Sequence, residues 1–259
     1  MKYSYKDFFS SIAVVSIGIV LVSFMALIPG FPDYIHEFVS RIILIIITLF
    51  LIRHYKFDRF LIPNRSTIFY CILSAILISL SMYYVWNEAN KLQIGLPPFQ
   101  FIQYILLNFS VGFFEELLFR FFFFYLLYAI LIDTKYRLFK SILFSSIFFG
   151  AFHCLNFSAS DSQFYGVITQ IFFAIALGIF FQALYIKTHS LILCATAHTL
   201  FNFFSGYEVE LFHIVSPRHF EQFTLNDFYQ SLFISAILCM LSLLLSSVWI
   251  WDNLKSNKI

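Results

Sequence analysis

Long apolar runs separated by short polar segments dominate this sequence. Of its 259 residues, 61% are hydrophobic and only 12% are charged. A soluble domain of this length would need far more polar surface to cover its core. Lipid can solvate the excess apolar surface, which places the chain among integral membrane proteins. The sequence therefore predicts an all-α fold, a polytopic transmembrane helical bundle.

Eight segments are apolar over roughly the 20 residues that a bilayer span needs, or a few less where a neighbouring helix shields the end. They lie near 8–29, 38–52, 67–86, 107–132, 141–157, 164–186, 190–204 and 230–250. The first has a charged start like that of a signal peptide but lacks a small-x-small cleavage site, so we expect it to be retained as a span. We expect 1–259 to form a single integral membrane domain, with its longest loop at 205–229.

The basic residues are distributed unevenly between the two predicted sides of the membrane. Twelve of the 16 Lys and Arg residues fall on the side that holds both termini, and three fall on the other side. Cytoplasmic loops carry such an excess, so both termini are predicted to be cytoplasmic. The chain has neither a basic stripe nor a recognition motif for nucleic acid, so the lipid bilayer is an expected partner and nucleic acid is not.

Charged side chains interrupt the fourth predicted span, where each of them is costly to bury in lipid. Glu116 and Arg120 are four residues apart, hence on one helical face, and can form an ion pair. Glu115 points about 100° away around the helix and has no evident partner within its own segment. We expect Glu115 either to bind a proton or to meet a cation from another helix.

Two further spans carry histidine. His153 lies in the fifth, and His198 lies in the seventh, four residues before Asn202 and on the same helical face. Helix packing alone could explain each of these polar residues separately, as an interhelical hydrogen bond or a satisfied core histidine. At a rise of about 1.5 Å per residue, however, they fall with Glu115 in one broad central layer of the bilayer. This common depth favours a shared polar cavity that holds a water molecule.

Two chemical schemes fit these residues, and both end in hydrolysis of an amide. In the first, a glutamate beside an imidazole takes a proton from water, while a histidine and an asparagine donate hydrogen bonds to the oxyanion. In the second, Glu115, His153 and His198 are three ligands of a catalytic zinc ion with an open fourth position. The sequence leaves both schemes open. A cysteine nucleophile, Cys194 or Cys154, is disfavoured because both lie in apolar stretches.

Three motifs follow one another on separate predicted spans: E-E-x-x-x-R, F-x-x-x-H and H-x-x-x-N. In this order they resemble the CPBP family, which includes the CAAX proteases and the bacteriocin-processing and self-immunity membrane proteins, also called Abi. They are complete here at Glu115/Glu116/Arg120, Phe149/His153 and His198/Asn202. The resemblance covers residues 100–205, which we expect to form the catalytic core.

The resemblance implies an intramembrane endopeptidase that acts on a membrane-associated peptide or protein, in the plasma membrane of a bacterium. It implies the following roles: water activation by Glu115 and His153, oxyanion stabilisation by His198 and Asn202, and support of the site by Glu116 and Arg120. Both zinc-dependent and metal-free mechanisms are proposed for the family, so the metal stays open. The alternative reading is a non-enzymatic self-immunity or peptide-binding membrane protein, whose polar cluster grips a peptide.

Overall fold

A computed structural model describes residues 3–23, 33–57, 65–91, 95, 97–154 and 164–210, together with single positions between 229 and 244. Every regular element in this part of the chain is a helix, so the prediction of an all-α protein is confirmed. The predicted eighth span, 230–250, lies for the most part outside the described residues, as does most of the predicted loop 205–229.

The described chain contains a series of α-helices and one π-helix. They are α1 (Tyr5–Ser23), α2 (Asp33–His54), α3 (Arg65–Lys91), α4 (Pro98–Glu115), the π-helix (Glu116–Phe123), α5 (Phe124–Ile130), α6 (Arg137–Phe152), α7 (Phe164–Thr188) and α8 (Leu191–Glu210). Because α4, the π-helix and α5 follow one another directly, the chain is helical without a break from Pro98 to Ile130.

Several of these helices are long and apolar enough to cross a membrane by length and composition. Four stretches meet that description, namely Tyr5–Val22, Ile35–His54, Ile68–Lys91 and Gly166–Thr188. They coincide with the first, second, third and sixth predicted spans, and the shorter apolar stretch Leu191–Phe204 coincides with the seventh. The apolar helices confirm the membrane-bundle class. The number of eight spans and the cytoplasmic termini stay predictions.

Local backbone chemistry sets several helix ends. Pro98 takes the first position of α4. The N–H at this position has no partner within a helix, so proline loses nothing by lacking it, and the fixed φ of proline suits the start of a helix. Helix α2 ends where Lys56 adopts a left-handed conformation with φ 59°. The N–H of Phe57 then donates to the carbonyl of Ile52 at 2.9 Å, which closes the last turn.

Two helix limits differ from the sequence prediction. Helix α6 begins at Arg137, before the predicted fifth span at 141–157, and it ends at Phe152, so His153 follows its last residue. Helix α8 continues to Glu210, so the first residues of the predicted loop at 205–229 are helical. Both differences arise because hydropathy does not determine where backbone hydrogen bonds begin and end. A helix can therefore continue past an apolar run, as α8 does, or end inside one, as α6 does.

The chain divides into two compact units. The first comprises Met1–Leu126 and Ser190–Ile214, and the second comprises Leu127–His189 and Val215–Ile259. In the first unit α8 packs against α3 and α4, and α2 packs against α4 and the π-helix. In the second unit α6 packs against α7, where small residues permit close approach: a Cβ on Gly178 would lie 2.9 Å from the Cβ of Ser146. The organisation of 1–259 as a single membrane domain stays a prediction.

Candidate active site

Helices α4 and α8 pack against each other in the first unit and carry residues of two of the three motifs. Near the start of α4, the ring of Tyr104 contacts the ring of Phe203, towards the end of α8, with centroids 5.5 Å apart. The Tyr104 hydroxyl donates to the Phe203 carbonyl at 3.4 Å. At the other end of α4, Glu115 contacts His198, which is earlier on α8. The two helices therefore run antiparallel, and the site lies along their contact.

The π-helix continues directly from α4 and contains part of the first motif. All eight of its side chains are buried, and the N–H of Phe124 donates to the carbonyl of Phe119, five residues back instead of four. Such segments are rare and occur frequently at functional sites. The sequence analysis assumed an α-helix here and was wrong about this element. The predicted ion pair between Glu116 and Arg120 is confirmed.

Glu116 is completely buried, and each of its carboxylate oxygens faces a basic group. Its Oε2 lies 3.2 Å from Nε of Arg120, whose side chain is 1% exposed. Its Oε1 lies 2.8 Å from Nδ1 of His198. A carboxylate without solvent needs such partners, because an isolated charge in apolar surroundings is strongly unfavourable. Glu116 therefore joins the π-helix to α8 and holds the imidazole in a fixed orientation.

Glu115 differs from Glu116 in its exposure. Its side chain is 22% exposed, and its Oε2 lies 3.4 Å from Nε2 of His198. Two outcomes were expected for this residue, a bound proton or a cation from another helix, and the structure supplies a histidine from α8. Of the two adjacent carboxylates, Glu115 is the one that water or a substrate can reach.

The imidazole of His198 thus lies between two carboxylates, and this determines where its protons lie. A carboxylate oxygen accepts hydrogen bonds, so Nδ1 of His198 is the donor in its 2.8 Å contact with Glu116. The other ring nitrogen, Nε2, faces Oε2 of Glu115 at 3.4 Å. The imidazole therefore bridges the buried carboxylate and the part-exposed one.

His153 belongs to the second unit and follows the last residue of α6. Its Nδ1 lies 3.1 Å from the carbonyl oxygen of Phe149, and the two rings meet edge to face with centroids 5.1 Å apart. The two residues of the F-x-x-x-H motif are therefore in contact. An Nδ1–H that donates to this carbonyl leaves Nε2 as the proton acceptor, the form that a base requires.

The structure thus brings four of the predicted residues together. Glu115, Glu116, Arg120 and His198 form one cluster in the first unit. Asn202 is half-buried on α8, one helical turn after His198. The approach of His153 to this cluster stays a prediction.

The zinc alternative requires three protein ligands around one point. Two of the candidate ligand atoms, Oε2 of Glu115 and Nε2 of His198, lie 3.4 Å apart, whereas His153 belongs to the second unit. Within the described ranges, no group of three or more His, Cys, Asp or Glu side chains is arranged to hold a metal ion. The zinc alternative stays a prediction, and the groups in contact are an acid and an imidazole.

The sequence analysis did not single out Gly112 and Thr199, which face each other across α4 and α8. A Cβ on Gly112 would lie 2.9 Å from Oγ1 of Thr199. One glycine in an apolar span gives no signal by itself. Two signals in the sequence could have identified this contact. Gly112 lies three residues before Glu115, and Thr199 lies directly after His198.

Fold and site together define a helical membrane protein in which a part-exposed carboxylate and an imidazole from different helices lie 3.4 Å apart. A carboxylate beside an imidazole is a combination that hydrolases use to activate water.

Residues 97–204 match the family model of the Type II CAAX prenyl endopeptidase Rce1-like proteins. The matched stretch is less than half of the chain but contains all three motifs, and it confirms the predicted resemblance to the CPBP and CAAX protease family. At the level of reaction class, the match indicates a protease of the membrane. Comparisons with curated proteins and with solved structures found no match.

Proposed function

We propose that the protein is an intramembrane endopeptidase that hydrolyses a membrane-associated peptide with water activated by Glu115. The observation that carries the proposal is the position of His198, 2.8 Å from the buried Glu116 and 3.4 Å from the part-exposed Glu115. Arg120 needs one carboxylate as its charge partner, and Glu116, on the same helix, already provides it. The second carboxylate, exposed and beside an imidazole, is then available for chemistry.

In the first step of the proposed reaction, Glu115 accepts a proton from water, and the resulting hydroxide adds to the carbonyl carbon of the scissile peptide bond. The electron pair of the C=O bond moves onto oxygen. The Nε2–H of His198 and the side-chain amide of Asn202 donate hydrogen bonds to this oxyanion. The family match over residues 97–204, which includes His153, supports a part for this imidazole in orienting the water while Glu115 takes its proton.

In the second step, the oxyanion re-forms the C=O bond and the C–N bond breaks. The proton that Glu115 took from water passes to the leaving nitrogen, so the products are a carboxylic acid and an amine and Glu115 is regenerated. Glu116 and Arg120 do not react. Because Glu116 occupies Nδ1 of His198, the other ring nitrogen is directed towards the reacting oxygen.

The proposed substrate is a peptide whose C-terminus carries a prenylated C-a-a-X motif. The support for this choice is the description of the family whose model residues 97–204 match. A prenyl chain would keep such a peptide at the bilayer. The scissile bond has to reach Glu115, which is predicted to lie at the depth of the membrane.

The test uses the purified full-length protein in lipid vesicles and a fluorogenic farnesylated C-a-a-X peptide. We expect cleavage by the wild type and, in water enriched in heavy oxygen, one labelled atom in the new carboxyl group. Glu115→Gln keeps the shape of the side chain but removes the base, so it should lower kcat by at least about 100-fold. Glu88→Gln is the matched control, because Glu88 on α3 pairs with the exposed Lys91 at 2.7 Å.

Wild-type turnover in Glu115→Gln would refute the proposed mechanism. The non-enzymatic alternative predicts a different result, in which the wild type binds the peptide without cleaving it and Glu115→Gln binds it equally well.

A further inference from the structure

We infer that Gly112 is a positioning residue of this active site, an inference that rests on the proposed function. Gly112 lies on α4, three residues before Glu115 and four before Glu116, and it is buried. The surface that it faces belongs to α8, at Thr199 and Ala195. Thr199 directly follows His198, so the contact lies beside the cluster that the two helices share.

A side chain at position 112 would collide with α8. A Cβ built there would lie 2.9 Å from Oγ1 of Thr199, 3.0 Å from the carbonyl oxygen of Ala195 and 3.2 Å from the backbone N of Thr199. Two of these three atoms are backbone atoms, which cannot rotate away. To restore an ordinary contact of 3.4 Å, the helices would have to separate locally by about 0.5 Å.

The part of α8 that Gly112 faces is itself held in place. The hydroxyl of Thr199 donates to the carbonyl of Ala195 at 2.6 Å, so the nearest side-chain atom is already engaged within α8. Relief of the collision would therefore come from separation of the two helices, α4 with Glu115 and α8 with His198. The missing side chain at Gly112 sets the separation at which Glu116 reaches Nδ1 of His198 at 2.8 Å.

The chain contains matched controls for this inference. Gly95 and Gly166 have nothing within 4 Å of a Cβ built on them, so alanine fits at both positions. A comparison of Gly112→Ala with these two variants separates the effect of the contact with α8 from the effect of replacing a glycine as such.

The experiment measures kcat, KM and the pH profile of kcat with the farnesylated peptide. We expect Gly112→Ala to lower kcat roughly tenfold with little change in KM, because a 1 Å misplacement can cost about 100-fold. We also expect its pH profile to shift, since His198 would lose part of its hydrogen bond to Glu116. A loss of folded protein would scale the profile without moving it. Gly95→Ala and Gly166→Ala should match the wild type.

A second variant tests the steric cause directly. In Gly112→Ala/Thr199→Ala the nearest of the three contacts is absent, so we expect kcat to recover in part while the two backbone contacts keep it below the wild-type value. If Gly112→Ala alone folds poorly, the double variant carries the same pH test, and an unmoved profile there overturns the inference.

The possible failures are distinguishable. A wild-type kcat and an unmoved pH profile in Gly112→Ala, measured beside a wild type that cleaves the peptide, would overturn the role of Gly112. A wild type that cleaves no peptide would count against the proposed function instead. Nitrogen NMR of the His198 imidazole gives a readout besides activity, and an Nδ1–H signal unchanged by Gly112→Ala would also contradict the inference.

Discussion

Replacing Arg120 with methionine removes a cation from the π-helix and leaves the carboxylate of Glu116 without its charge partner. Both side chains are at most 1% exposed, so solvent cannot take the place of the guanidinium. Removal of one member of a buried ion pair typically costs about 3–5 kcal/mol, because the remaining charge is uncompensated.

The geometry of the pair agrees with this range. Two unit charges separated by 3.2 Å, the distance from Nε of Arg120 to Oε2 of Glu116, attract each other by about 5 kcal/mol at an effective dielectric constant of about 20. Because His198 still donates to Glu116 in the variant, we expect the lower end, about 3 kcal/mol. For a chain of this size, that loss lowers the melting temperature by about 6–12 °C.

The assay is thermal unfolding of the full-length protein in detergent, with Lys91→Met as the matched control. Nζ of Lys91 lies only 2.7 Å from Oε1 of Glu88, closer than the atoms of the buried pair, but the two side chains are 62% and 28% exposed. Solvent screens such a pair, so Lys91→Met should melt close to the wild type. The double variant Glu116→Gln/Arg120→Met should recover much of the loss, because no uncompensated charge remains.

Two results would contradict this reasoning. Arg120→Met could melt at the wild-type temperature, or Lys91→Met could lose as much stability as Arg120→Met. Either would mean that burial does not control the strength of these pairs.

The remaining predictions concern the metal, the second unit and a helix end. Under the proposed mechanism, dialysis against a chelator should leave peptide cleavage intact, and stoichiometric bound zinc with loss of activity would contradict it. His153→Ala should lower kcat by about 100-fold or more, whereas Cys154→Ala, at the adjacent exposed position, should not. Lys56→Gly should raise the stability by about 1 kcal/mol in thermal unfolding, because φ at this position is 59° and glycine adopts it without strain. Lys56→Ala keeps the strain and should show no such gain.

The features that depend on local pattern could be predicted from the sequence. Apolar runs predict helices that lipid can solvate, and the spacing of Glu116 and Arg120 predicts their ion pair. Glu115 has no evident partner in its own segment, which indicated that a residue from another helix approaches its carboxylate. That reasoning identified His198 as a candidate but could not identify the contact between them.

The features that depend on packing could not be predicted. All side chains from Leu117 to Phe123 are buried, and all except Arg120 are apolar. Such apolar side chains suit an α-helix and a π-helix equally, so the wider turn leaves no trace in composition. Which nitrogen of His198 faces which glutamate depends on the rotation of α8 about its axis, and the sequence spacing within one helix does not determine it.

The wide turns of the π-helix make this segment sensitive to its length. Deletion of one residue between Leu117 and Phe119 would let the backbone return to an ordinary helix, with Arg120 three residues instead of four after Glu116. The separation of the guanidinium from the carboxylate of Glu116, 3.2 Å in the structure, would change with it. Exchange of one large apolar residue for another does not alter the register. We therefore expect relatives of this chain to vary in the identity of these residues far more than in their number.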